Sequence, residues 1–184
     1  MWYTSLSERD EVLVGLLSDT HLLWGSDLPP QIHEVFADVD FILHGGDIYE
    51  LQVLDELECT APVLAAQGDD DCFKRHDNRV KGDYFLTFAN QRLWLKHTMP
   101  WGLIQMLDAE RDDELVELVG RHCDGVPDIV VFGDTHRAIV KQCGGMLFIN
   151  PGSPTWPRHV RKLGTVGLLT VSAGGAVAHL VQLE

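Results

Sequence analysis

Five times along this chain an apolar run of strand length stops at an acid or a histidine. Val12–Leu17 runs into Asp19 and His21, Phe41–His44 into Asp47, and Pro62–Ala66 into Asp69. Arg92–Lys96 runs into His97, and Asp128–Phe132 into Asp134 and His136. Three of these acids follow a glycine directly (Gly46, Gly68, Gly133). Glycine there permits a sharp exit from a strand and a close backbone approach to whatever binds. Between the first three runs, Ile32, Val35 and Phe36 within 30–38, then Leu51, Leu54 and Leu57 within 49–58, recur at helical spacing. Strand, helix, strand, helix, strand is the pattern of a parallel sheet with helical crossovers. Ligands of open α/β sheets bind beyond the carboxyl ends of the strands. Five such ends, each offering a carboxylate or an imidazole, can therefore converge on one point.

The second half of the chain changes character. Tyr84–Phe88 and Arg92–Lys96 flank Asn90-Gln91 and predict a hairpin. Residues 111–122 predict an amphipathic helix with Leu115, Val116, Leu118 and Val119 inward, and with Asp112, Asp113 and Glu114 at the positive end of its dipole. Beyond His136, the runs Ala138–Gln142, Met146–Ile149, Val166–Val171 and Ala176–Leu183 predict antiparallel strands. Neither a linker nor a low-complexity stretch divides the chain, so residues 1–184 are expected to form one domain.

Composition narrows the partners. Lys+Arg 14 against Asp+Glu 28 gives a net charge of −14. Such a chain repels polyanions, which argues against nucleic acid and anionic membranes as partners and favours cations. The four cysteines form no C-x-x-C pair and read as reduced thiols. No apolar run approaches membrane-spanning length, and the N-terminus has no basic start before an apolar core, so a cytoplasmic protein is expected. No glycine-rich nucleotide loop is present.

Carboxylates and imidazoles together are ligands for Mn²⁺, Fe²⁺, Zn²⁺ or Mg²⁺. In order, the motifs are Asp19-Thr20-His21, Gly46-Asp47, Gly68-Asp69-Asp70-Asp71, His97-Thr98 and Gly133-Asp134-Thr135-His136, with Asn150-Pro151-Gly152-Ser153 and Pro157-Arg158 after them. This series resembles the calcineurin-like metallophosphoesterases, in particular their small single-domain phosphodiesterase branch, from about Leu13 to Arg158. The resemblance implies an α/β fold, a four-layer sandwich of two mixed sheets flanked by helices. It implies a hydrolase that splits a small phosphate ester, a phosphodiester above all, with water activated by two divalent ions. Mn²⁺ is the first expectation for the metal, with Mg²⁺, Fe²⁺, Zn²⁺ and Ni²⁺ as alternatives.

By the same resemblance one metal falls to Asp19, His21, Asp47 and His136. Asp47 bridges to a second, completed by Asp69, His97 and Asp134. The family usually has Asn at the position of Asp69 and His at that of Asp134, so the second position is shifted toward carboxylate. Asp70 and His97 are the candidate catalytic residues. Many relatives carry a histidine at position 70, and whether Asp70 protonates a leaving group is left open by the sequence, as is homo-oligomerisation. Asp71 fits a carboxylate that orients a ligand, or a surface acid, and Trp24 and Trp101 are candidates for the rim of the substrate mouth. The same branch includes the retromer scaffold subunit, so an interaction platform with little or no catalysis is the competing expectation.

Overall fold

The computed structural model describes residues 4–7, 9–24, 27–72 and 76–184, with side chains from residue 9 onward. Two six-stranded sheets face each other. The first has the order β12-β11-β2-β3-β4-β5 and the second β1-β6-β7-β8-β10-β9. The first half supplies β1 (Thr4–Ser7), β2 (Glu11–Leu17), α1 (Gln31–Val35), β3 (Phe41–His44), α2 (Gln52–Glu58), β4 (Val63–Ala66) and β5 (Val80–Lys81). Then come β6 (Asp83–Phe88), β7 (Gln91–Lys96), α3 (Leu103–Asp108), α4 (Asp112–Gly120) and β8 (Ile129–Val131). The chain ends with β9 (Ile139–Cys143), β10 (Met146–Asn150), β11 (Thr165–Ser172) and β12 (Gly175–Gln182).

Alternation along the strands builds the layers. Val12, Val14 and Leu16 of β2 meet Leu86, Leu93, Val131 and Leu169 in a core between the sheets. Leu17 and Ile42 point the other way and pack under α1 and α2 with Ile32, Phe36 and Leu54. On the far side Trp94, Val130 and Phe148 pack beneath α3 and α4 with Leu103, Leu115 and Val119. The central strands are thus apolar on both faces because each face is covered. This is the expected four-layer sandwich. Truncating one side chain of the middle layer, as in Leu43→Ala, costs about 2–5 kcal/mol.

Several elements differ from the sequence reading. Strands β1 and β5 and helix α3 are additional: β1 and β5 are edge strands of four and two residues, too short to show a period, and α3 is six residues long. In α4 only Leu115 and Val119 are fully inward, while Val116 and Leu118 are partly buried at its flank. The β6–β7 turn is Ala89-Asn90, both left-handed (φ 44° and 66°), and Gln91 already belongs to β7. Strand β10 is antiparallel to β9 but parallel to β8, because its inner edge joins the parallel part of its sheet.

Strands β2, β3 and β4 are mutually parallel, as are β7 and β8. Their carboxyl ends meet: the Gly45 N–H donates to the Leu17 carbonyl, and the Gly133 N–H to the His97 carbonyl. The candidate residues lie on this shared crest.

Candidate metal centre

The loops after β2 and β3 are laced together, the Asp19 N–H on the Gly46 carbonyl at 2.8 Å and the His21 N–H on the Asp47 carbonyl at 3.0 Å. Contact here is close enough that a Cβ at Gly68 would stand 2.1 Å from the Asp47 nitrogen and carboxylate, and one at Gly133 2.1 Å from the Ser18 hydroxyl. The glycines of the Gly-Asp pairs are therefore there for close approach. Asp19, His21, Asp47, Asp134 and His136 all have left-handed backbones, with φ between 46° and 69°. Such strain outside glycine persists where surrounding structure over-determines it, and it concentrates at functional sites.

Asp19, His21, Asp47 and His136 are all buried, and each offers one ligand atom within 4.8 Å of the others. The two Nε2 atoms of His21 and His136 face each other at 3.0 Å. Asp47 Oδ2 is 3.6 Å from His21 Nε2 and 3.3 Å from His97 Nε2, so one carboxylate oxygen stands between the quartet and His97. His136 Nδ1 donates to the Trp156 carbonyl at 2.8 Å and His97 Nδ1 to the Gly45 carbonyl at 2.7 Å. These bonds fix the tautomers and leave both Nε2 lone pairs facing the centre. Asp19 Oδ2, His21 Nδ1 and His97 Nε2 are buried without a hydrogen-bond partner. Three such orphans in one cluster are costly in a closed core, and a divalent cation would satisfy the two that face inward as donors, an aspartate oxygen and an imidazole nitrogen. The mixed aspartate and histidine donor set fits a divalent metal ion.

The electrostatics describe the metal-free protein. Burial pushes the Asp19 carboxyl up to about 7. Burial also pulls the His21 imidazole down to about 4. For Asp47 burial acts upward, but His97, the Asp70 N–H and His21 outweigh it and hold the carboxyl at about 2. Burial disfavours charge on His97, yet Asp47 and Asp19 raise it to about 9. Without a cation, His97 thus provides the positive charge that the buried carboxylates require.

Asp69 and Asp134 stand outside the quartet on the exposed rim. Asp69 accepts a hydrogen bond from the Thr98 hydroxyl at 3.1 Å. Burial, then the charges of Asp69 and Asp47, raise the Asp134 carboxyl, which places the three acids within reach of each other's fields. Asp70 is also exposed, with its Oδ2 3.8 Å from His21 Nδ1 and accepting from the Tyr49 hydroxyl at 3.4 Å.

Other residues hold this arrangement. Asp71 is buried and accepts N–H bonds from Asp47, Ile48, Tyr49 and Gly68, at 2.8–3.1 Å. It ties the Asp47 loop to the Asp69 loop, which the sequence could not separate from a surface acid. His44 is wholly buried and lowered to about 3 by burial, and its neutral ring accepts the Gly46 N–H and bonds to Thr20. The Asn150-to-Ser153 motif joins the two Asp-Thr-His loops: Asn150 donates to the Gly133 carbonyl and Ser153 to the Asp19 carbonyl. Trp156, not singled out from the sequence, meets His21 and His136 edge-on at 5.0 and 5.5 Å. Trp24 and Trp101 are 59% and 95% exposed, and among the described residues Trp156 is the tryptophan that touches the imidazoles of the quartet.

Residues 12–174 match the family model for the calcineurin-like phosphoesterase superfamily domain. A probable metallophosphoesterase of Methanothermobacter thermautotrophicus is 34% identical over 149 residues, 80% of either chain. A phosphodiesterase of Methanocaldococcus jannaschii is 28% identical over 155 residues, 76% of this chain and 82% of its own. Vacuolar protein sorting 29 from Cryptosporidium parvum shares the fold with a TM-score of 0.69 and 20% identity, over 96% of this chain and all of that one.

Proposed function

Because the chain belongs to the calcineurin-like phosphoesterase superfamily, we propose that it is a metal-dependent phosphodiesterase acting on a small phosphate ester. The observation that carries this reading is the buried quartet Asp19, His21, Asp47 and His136, in which Asp19 Oδ2 and His21 Nδ1 have no hydrogen-bond partner among the described residues. Burial and backbone strain at this cluster both oppose folding, which supports a functional role for it.

The quartet would hold one divalent ion. Asp47 would share its carboxylate with a second, completed by His97, Asp69 and Asp134. Ions bound there lower the pKa of water and neutralise charge on phosphate oxygens. The protein's part is placement. Asp71 fixes the Asp47 loop, the Trp156 and Gly45 carbonyls fix the two imidazoles, and Trp156 with Tyr49 walls His21 from the side. The two extra carboxylates favour hard ions such as Mn²⁺ or Mg²⁺ over Zn²⁺ at the second position. No histidine stands at position 70, so esters whose leaving group departs without a proton, such as nitrophenyl esters, are the better substrates.

The reading is tested by metal analysis of the purified protein together with hydrolysis of bis(4-nitrophenyl) phosphate across Mn²⁺, Mg²⁺, Zn²⁺ and Ni²⁺. Bound metal and Mn²⁺-dependent turnover are expected. Metal-free protein that is inert with every ion would favour the second reading, an interaction platform. The almost fully exposed Trp101 is the observation on that side.

A further inference from the structure

The chain has 14 Lys and Arg for 28 Asp and Glu, so a cation without a carboxylate beside it is unusual here. Among the described residues, eight Lys and Arg side chains from Arg9 to Lys141 lie against carboxylates. Lys81 lies over the Tyr84 ring at 4.9 Å. Besides Lys81, the cations left without a carboxylate among the described residues are Arg158, Arg161 and Lys162, and these three share one five-residue segment. Arg161 lies over Trp156, 5.4 Å from its ring.

Arg158 and Lys162 line a pocket of about 260 Å³ that shares His136 with the metal centre. Thr165 and Gln182 border it, the rest of its wall is apolar or backbone, and no carboxylate lines it. The Gln182 amide already donates to the Gly164 and Leu183 carbonyls, so the charged donors on offer are the two cations. Backbone hydrogen bonds and a ring contact shape the segment. Arg158 is left-handed (φ 50°) with its N–H on the His136 carbonyl, and the His159 ring lies 4.4 Å from that of His136. A guanidinium and an ammonium facing one small pocket match a phosphate group.

We propose that this pocket is a subsite for a second phosphate, and that the preferred substrates are phosphodiesters whose retained fragment carries a further phosphate. The proposal rests on the phosphodiesterase reading for its first phosphate at the metal centre. It also explains how a strongly acidic protein attracts an anionic ester: the unpaired positive charge is concentrated beside the reacting group. The island is too small for a long polyanion, and the surrounding negative charge repels one.

The test compares thymidine 5′-(4-nitrophenyl phosphate) with its 3′-phosphorylated form under Mn²⁺, so that the leaving group is the same. The kcat/KM ratio in favour of the 3′-phosphate should be about tenfold or more. It should fall toward one in Arg158→Asn with Lys162→Gln. Asparagine is chosen because it tolerates the left-handed backbone. Lys162→Gln alone should give an intermediate ratio, and the distant Arg121→Gln the wild-type ratio. Calorimetry on metal-free protein provides a readout independent of turnover: thymidine 3′,5′-bisphosphate should bind more tightly than thymidine 5′-monophosphate, and the double variant should lose the difference. Turnover with a ratio near one, or a ratio that survives the double variant, overturns the subsite and leaves the phosphodiesterase reading standing. Absence of turnover with the calorimetric difference intact overturns the phosphodiesterase reading and supports the phosphate pocket. Inorganic phosphate binding as tightly as the bisphosphate overturns the subsite in favour of a free-phosphate site.

Discussion

The two halves of the proposed metal centre are built on different principles. Asp19, His21, Asp47 and His136 are buried, and their loops are hydrogen-bonded to one another. Asp69 and Asp134 project from the rim, and Asp69 is held by one hydroxyl. His97 and Asp47 stand between the halves. A buried half is preorganised but tolerates little change, because any substitution leaves orphaned polar groups behind. An exposed half can trade Asn or His for Asp at small folding cost, since water solvates the new group. On the metal-binding reading proposed above, the two positions at which the family resemblance leads one to expect other residues, Asp69 and Asp134, both fall on the exposed side.

The largest test of that contrast is Asp47→Ala. It removes the carboxylate that faces both halves, so bound metal should drop and hydrolysis fall by on the order of 10³-fold or more. Two metals per chain retained in this variant would show that the halves are independent. Metal content and turnover should be measured alongside circular dichroism to establish that the fold survives.

Asp71→Asn comes next. It keeps size and some acceptor capacity but loses the charge that receives four N–H bonds, and residues supporting metal ligands typically cost about 10–100-fold when changed. The loss should appear in kcat and metal affinity together. Tighter metal binding or undiminished kcat would mean that the buried loop holds its shape without this anchor.

The double reversion Asp69→Asn with Asp134→His probes the exposed half. On the two-ion proposal, Asp19, Asp47, Asp69 and Asp134 would set four carboxylates against two divalent ions, a neutral centre that would attract an anionic ester weakly. Reversion should raise kcat/KM by about tenfold and widen metal choice toward Zn²⁺ and Ni²⁺. Assays at saturating metal separate this from weaker metal binding. A reverted protein no faster with any metal would refute the charge argument.

The smallest effect concerns the loop that carries Asp69 to Asp71 back into β5. Its return is held by the Tyr84 hydroxyl, which donates to the Arg79 and Asn78 carbonyls at 2.9 and 3.2 Å, and by Arg79 against Asp55, Glu58 and Asp77. Tyr84→Phe should cost about 1 kcal/mol. Burial raises the Tyr84 phenol from 10 to about 12. A pKa raised on folding stabilises below the unfolded value and is lost as pH climbs through the folded one. Wild-type stability should therefore decline between pH 10 and 12, and the variant should show less of that decline. Denaturant midpoints across this range measure it.

The sequence alone determined the α/β pattern and, through the family resemblance of its motifs, the four-layer sandwich. An apolar run that ends in Gly-Asp or Asp-x-His marks locally where a strand stops and what stands at its end, and of the residues so marked Asp19, His21, Asp47 and His136 come together in the fold. The short edge strands β1 and β5 and the six-residue α3 were not legible, since elements of two to six residues carry too little periodicity. The roles of Asp71, Ser153 and Trp156 were equally hidden. Asp71 is one acid in a run of three, and only the folded chain shows that it alone is buried and receives four N–H bonds. Ser153 and Trp156 act on Asp19 and His21 across more than 130 residues of chain. The tertiary structure also decided which ligands are buried and which lie on the rim, and which cations are left without a carboxylate. Burial and ion pairing depend on what the distant segments bring alongside, and no local pattern records that.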